Sequence, residues 1–124
     1  MYLIKATLII VLGIFVLHLI PVLLIGTLVV MNYLVYGAKS EGDLAWLVFH
    51  IIDFPFIWFA SSSMPAVETL WQSLATPFSN ACLNYYWDYV VLPAVFFQII
   101  GWINWCIVLG LPLLIVQMWL KSDT

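Results

Sequence analysis

Apolar residues fill almost every position of two long stretches, one near each end of the chain. Residues 6–35 and 89–120 each contain no formally charged side chain. A hydrocarbon core ~30 Å thick is crossed by ~20 residues at ~1.5 Å each, so both stretches are long enough to span it. The pattern predicts an all-α integral membrane protein with two long transmembrane helices, about 3–36 and 88–120, in a single membrane domain, 1–124.

Aromatic residues stand at the ends of both predicted spans, as expected of side chains that favour the headgroup level of a bilayer. The belts lie about thirty residues apart, which is longer than the hydrocarbon core requires, so tilting or kinking is expected. Proline is the residue that most often kinks a helix. The candidate kink positions are Pro21, Pro93 and Pro112.

The centre of the chain is more polar and harder to interpret. Residues 37–43 contain two glycines and three charges, which predicts a polar turn. Residues 44–60 are mostly apolar but include Asp53 and Pro55. A charged Asp near mid-membrane costs ~2.5–3.5 kcal/mol on insertion scales, and Pro55 disfavours helix at Phe54. We therefore expect a re-entrant or interfacial helical segment, with a short third transmembrane span as the alternative.

Residues 61–88 read as an amphipathic interfacial segment. Apolar residues recur there at helical spacing, from Val67 to Leu74, with Glu68 on the opposite side. Such a segment suits a membrane surface or the surface of another protein. The residues predicted to face a partner are Glu68, Trp71 and Tyr85.

Composition narrows the possible partners. Only 7% of residues are charged, against about 25% in a soluble domain, so lipid is the expected solvent. The only cations are Lys5, Lys39 and Lys121, which argues against nucleic-acid binding. The lysines at the two ends favour cytoplasmic termini by the positive-inside rule. A bacterial inner membrane is the expected location, with an organelle's inner membrane as the alternative.

Polar and small residues gather on one side of each predicted span. Lipid cannot satisfy buried amides, so these sides are expected to face other helices. A pore or substrate lining is the functional alternative. The predicted helix-packing interface consists of Ala94, Gln98, Gly101, Asn104 and Trp105 on the last span and Thr7, His18 and Asn32 on the first.

His50 and Asp53 are three residues apart and would share a helix face. They form a candidate proton or ligand pair, and the alternative is the solvated polar face of an amphipathic helix. The chain lacks Cys-x-x-Cys and His-x-x-x-His metal motifs, a nucleophile motif and a phosphate loop. We therefore predict no catalytic, cofactor-binding or metal-ligating residues, and no enzyme.

Two long helices bury little surface against each other, so covering their polar sides calls for further helices. The sequence thus favours a small non-catalytic accessory or assembly subunit. Its expected partners are other membrane subunits or copies of itself, together with the lipid bilayer. One alternative is a small transport component that conducts protons or cations through His50 and Asp53. Another is a membrane-resident regulator of the immunity or exclusion type.

Overall fold

Every regular element that the computed structural model describes, over residues 1–39, 41–74 and 81–122, is helical. The predicted all-helical fold with two long apolar helices is therefore confirmed for these residues. The predicted segments 37–43 and 61–88 lie partly outside them. The helices are α1 (Tyr2–Tyr36), α2 (Phe49–Ile52), α3 (Phe56–Ala60), α4 (Met64–Leu74) and α5 (Cys82–Ser122), and the 3₁₀ turns are Gly37–Lys39, Gly42–Val48 and Ser61–Ser63.

Helices α1 and α5 are both long and apolar enough to cross a membrane. Only 17% of the most apolar window of each helix is buried inside the protein. Most of their apolar surface therefore points outward, which distinguishes them from the core helices of a soluble domain. Helix α5 begins several residues earlier than the sequence predicts.

Helix α5 widens into a π turn just before each of its prolines. The π turns span Trp87–Val91 and Cys106–Gly110, and they precede Pro93 and Pro112. A proline lacks the N–H of an i→i−4 bond and its ring clashes with that carbonyl, which a wider turn relieves. Pro21 lies within α1, which continues through it.

The segment between the long helices folds into a hairpin, which we call the central hairpin (residues 42–74). Near its start, the Trp46 indole donates to the Tyr89 carbonyl, 2.8 Å away. Near its end, the Trp71 ring stacks on Trp87, with centroids 4.2 Å apart. Both ends of the hairpin therefore lie at the same level of α5.

The tip of the central hairpin reaches much further along α5. The Phe56 N–H donates to Asn104 Oδ1 at 3.2 Å, fifteen residues beyond Tyr89, or ~22 Å at ~1.5 Å per residue. Between its two arms, the Trp58 indole donates to the His50 carbonyl at 3.1 Å. The chain thus descends between α1 and α5, turns at Asp53, and returns to the level where it entered.

Aromatic and branched side chains hold the hairpin between the long helices. Phe49 and Phe97 stack with centroids 5.1 Å apart, and Trp46 stacks on both rings. A Cβ on Gly26 would lie 3.5 Å from the Trp46 ring, so the indole packs against α1 where that helix carries no side chain. The buried apolar core consists of Val22, Val29, Trp46, Phe49, Ile57, Phe96 and Phe97.

Candidate functional site

Five polar side chains from three parts of the chain meet where the hairpin tip contacts both long helices. We call them the mid-span polar cluster. His18 is 5% exposed and Asp53 is fully buried, so the group is closed to solvent on most sides. The members are His18 from α1, Asp53 from the hairpin tip, and Gln98, Asn104 and Trp105 from α5.

A short contact between His18 and Asp53 forms the centre of the cluster. His18 Nε2 lies 2.8 Å from Asp53 Oδ1. The Trp105 indole donates to the same oxygen at 3.2 Å. Asp53 Oδ1 therefore has two polar contacts, one to the imidazole and one to the indole N–H.

The hydrogen bond at His18 Nδ1 determines how many protons His18 and Asp53 hold together. Gln98 Nε2 donates to the Phe15 carbonyl at 3.0 Å, and a carbonyl can only accept. The Gln98 amide oxygen therefore faces His18 Nδ1, 3.1 Å away, so Nδ1 carries a hydrogen. One further proton lies between His18 Nε2 and Asp53 Oδ1, and the pair is neutral overall whichever atom holds it.

Asn104 satisfies the backbone at the turn. Pro55 has no N–H, and the next residue, Phe56, donates its N–H to the Asn104 side chain. The Asp53 and Ile57 N–H groups bond to the carbonyls four residues earlier, at 2.9 and 3.1 Å. Irregular backbone needs such partners wherever it is buried, so Asn104 anchors the hairpin tip.

Gly101 makes room for the pair on α5. A Cβ built there would overlap the His18 ring and lie 2.6 Å from Asp53 Oδ2. Any larger residue would therefore displace one of the two ionisable side chains. Gly101, which the sequence predicts as a packing residue, thus leaves α5 without a side chain where His18 and Asp53 meet.

The cluster lies near the middle of both long helices. His18 is sixteen residues from the start of α1 and eighteen from its end, or roughly 24 and 27 Å at ~1.5 Å per residue. Asn104 is similarly central within the apolar stretch of α5, and Gln98 lies nine residues from the start of that stretch. The tip of the hairpin brings Asp53 to this depth.

The predicted pairing of His50 with Asp53 requires correction, because the carboxylate bonds to His18 instead. The His50 ring is half-buried, with its centroid 6.1 Å from that of Phe97. Asp53 directly follows the last residue of the helix, Ile52, and its carboxylate reaches across to His18 on α1.

The remaining predicted residues lie outside the cluster. Thr7 donates to the Leu3 carbonyl within α1, at 2.8 Å, and Asn32 is half-buried near the end of that helix. Glu68 is exposed on α4. The other three pack inside the chain: Ala94 against the apolar core, Trp71 on Trp87, and Tyr85 on Tyr33.

The contact between His18 and Asp53 is the feature that the sequence reasoning missed. A usable signal was present, because polar residues at the centre of different spans must find each other when lipid offers them no partner. Comparison with protein-family models, with curated proteins and with solved structures gives no match for this chain.

Proposed function

We propose that this chain is an integral membrane protein that handles protons as a small transport or conductance component. The observation that carries the proposal is the contact between His18 and Asp53 at the middle of both long helices. Ionisable residues at such a depth are costly and mark ion pathways more often than they add stability. Broken helical segments at mid-depth are also where membrane transporters place their sites.

Membrane embedding is supported by the outward apolar surface of α1 and α5. Lys5 and Lys121 lie at the end of the two long helices where both termini are found. The hairpin opens at the opposite end, near Lys39 and Glu41. The positive-inside rule then favours cytoplasmic termini. We place the protein in a bacterial inner membrane, with an organelle's inner membrane as the alternative.

A proton suits the cluster better than a metal ion. One imidazole and one carboxylate share one proton, and a transfer between them leaves the net charge at zero. Among the described residues, no three His, Cys, Asp or Glu side chains come together as metal ligands would. The chemistry that supports the proposal is therefore the transfer of a single proton between the two side chains.

Proton flux into reconstituted vesicles tests the proposal. Asp53→Asn keeps the size of the side chain but removes the group that shares the proton, so we expect flux to be lost. Glu68→Gln makes the same carboxyl-to-amide change on an exposed face of α4 and should leave flux unchanged. Equal flux in the wild type and Asp53→Asn would refute the proposal.

A second candidate is the accessory or assembly subunit, which is favoured by an opening in the outer surface beside the cluster. A notch of about 210 Å³ opens at mid-length between α1 and α5, lined by His18, Pro21, Trp105 and Leu109 among others. A side chain from a neighbouring membrane helix would fill it. If the protein extracted in mild detergent migrates as a lone monomer, this candidate fails.

A further inference from the structure

Three buried polar atoms along the hairpin have no hydrogen-bond partner among the described residues. They are His50 Nδ1, Asp53 Oδ2 and Asn104 Nδ2. Buried polar groups are nearly always hydrogen-bonded, to protein or to ordered water. Three such atoms in one region call for a shared explanation.

The three atoms follow one seam between the hairpin and α5. His50 packs by Phe97, Asp53 Oδ2 lies over Gly101, and the third atom belongs to Asn104. Spacings of four and three residues place Phe97, Gly101 and Asn104 on one face of α5. The atoms are therefore ordered by depth, from the open end of the hairpin towards its tip.

Their chemistry is complementary to water. Asp53 Oδ2 accepts, Asn104 Nδ2 donates, and His50 Nδ1 does either according to its tautomer. A water molecule both donates and accepts, and buried waters typically take two to four such partners. Further along α5 than Asn104, the two long helices approach each other closely, since a Cβ on Gly110 would lie 3.1 Å from Ile14 Cδ1.

We propose that water enters this seam from the open end of the hairpin and that the polar side chain of His50 links this water to Asp53. The inference rests on the proposed function and adds the route by which protons reach the pair and the end of the protein from which they enter. Exchange along the route replaces the hydrogen held between His18 Nε2 and Asp53 Oδ1 with a solvent hydrogen, so atoms and charge balance. His50 is a positioning residue here, since it acts through water.

The chain has two histidines, so ¹⁵N-histidine labelling in lipid vesicles gives readily assigned ring signals. After transfer to D₂O, the His18 ring hydrogens of the wild type should exchange through the seam. His50→Phe replaces the polar ring with an apolar one and should slow this exchange by about tenfold, the equivalent of one lost hydrogen-bonded step. The matched control is Ser62→Ala on the exposed 3₁₀ turn, which should leave the rate unchanged.

A thiol measurement covers the case in which His50→Phe fails to fold. In a background without native cysteines, we compare His50→Cys with Ile51→Cys under a water-soluble thiol reagent. Ile51 is 80% exposed on the protein surface, where lipid would cover it, and His50 is half-buried. We expect the cysteine at position 50 to react about tenfold faster, because the reactive thiolate forms only in contact with water.

Equal His18 exchange in His50→Phe and the wild type would overturn the inference, as would slower reaction at position 50 than at position 51. The two proposals fail separately. Exchange that depends on His50 without any proton flux refutes the transport function alone. Flux that depends on Asp53 but not on His50 refutes the route alone.

Discussion

A methyl group at Gly101 is the smallest change that would separate His18 from Asp53. The added Cβ would overlap the imidazole ring and come within 2.6 Å of Asp53 Oδ2. The added Cβ is attached to the α5 backbone, which cannot move away without disturbing the adjoining turns. The ring or the carboxylate must therefore leave its position, and the 2.8 Å contact is lost.

The expected cost follows from two opposing effects. Breaking a buried ion pair so that one charge is left without its partner costs about 3–5 kcal/mol. Alanine is favoured over glycine in a helix interior by about 1 kcal/mol, which offsets part of this loss. We expect Gly101→Ala to lower the free energy of unfolding by about 2–4 kcal/mol.

Gly13→Ala provides the matched control, since Gly13 lies within α1 and a Cβ there has no atom within 4 Å. Both variants are unfolded reversibly in detergent micelles by titration with SDS, with tryptophan fluorescence as the signal. The control should be as stable as the wild type or slightly more stable. If Gly101→Ala matches its control, the cluster does not meet over Gly101 and the geometry described above is wrong.

Three further predictions concern the pair, its third hydrogen bond and the topology. His18→Leu and Asp53→Leu should each destabilise the protein by about 3–5 kcal/mol, and the double variant should be more stable than either single one yet carry no proton flux; a double variant with normal flux would exclude the pair as the site. Trp105→Phe should cost about 0.6–1.7 kcal/mol, the range for hydrogen bonds between membrane helices, and a larger loss in the same SDS titration would indicate that the indole does more than donate to Asp53. Single cysteines at Ser62 and Ser122, in a background without native cysteines, should label from opposite sides of sealed vesicles, and labelling from one side would contradict the hairpin.

Periodicity and composition predict the long helices well, because length and apolarity are local properties. The start of α1 lies within one residue of its predicted position, and its end coincides with it. The effects of Pro93 and Pro112 are also local, since each proline lacks an N–H and perturbs the helix turn that precedes it. The direction in which the chain leaves Asp53 is not local: it depends on Asn104, which satisfies the backbone past the turn from another helix.

The candidate site was predictable in its parts but not in its connections. Gln98 and Asn104 are predicted because lipid cannot satisfy amides, and Gly101 because it allows close approach; all three lie against the hairpin tip or His18. Helical spacing pairs Asp53 with His50, three residues away, whereas its actual partner, His18, is 35 positions away. Comparing depths identifies the true pair, since His18 lies at the centre of its span and Asp53 at the tip of a hairpin.

The stability of the hairpin does not by itself explain why an ionisable pair lies in this place. Asn104 already anchors the tip, and the stacked rings of Trp46, Phe49 and Phe97 already pack the hairpin against α5. Replacing a buried ion pair with well-packed apolar residues is often neutral or stabilising by about 1–4 kcal/mol, so two leucines would hold this turn at least as well. What leucines cannot do is hold a proton between Nε2 and Oδ1 and pass it from one atom to the other. The placement of His18 and Asp53 at the middle of the long helices therefore supports the proposed proton chemistry over a purely structural role.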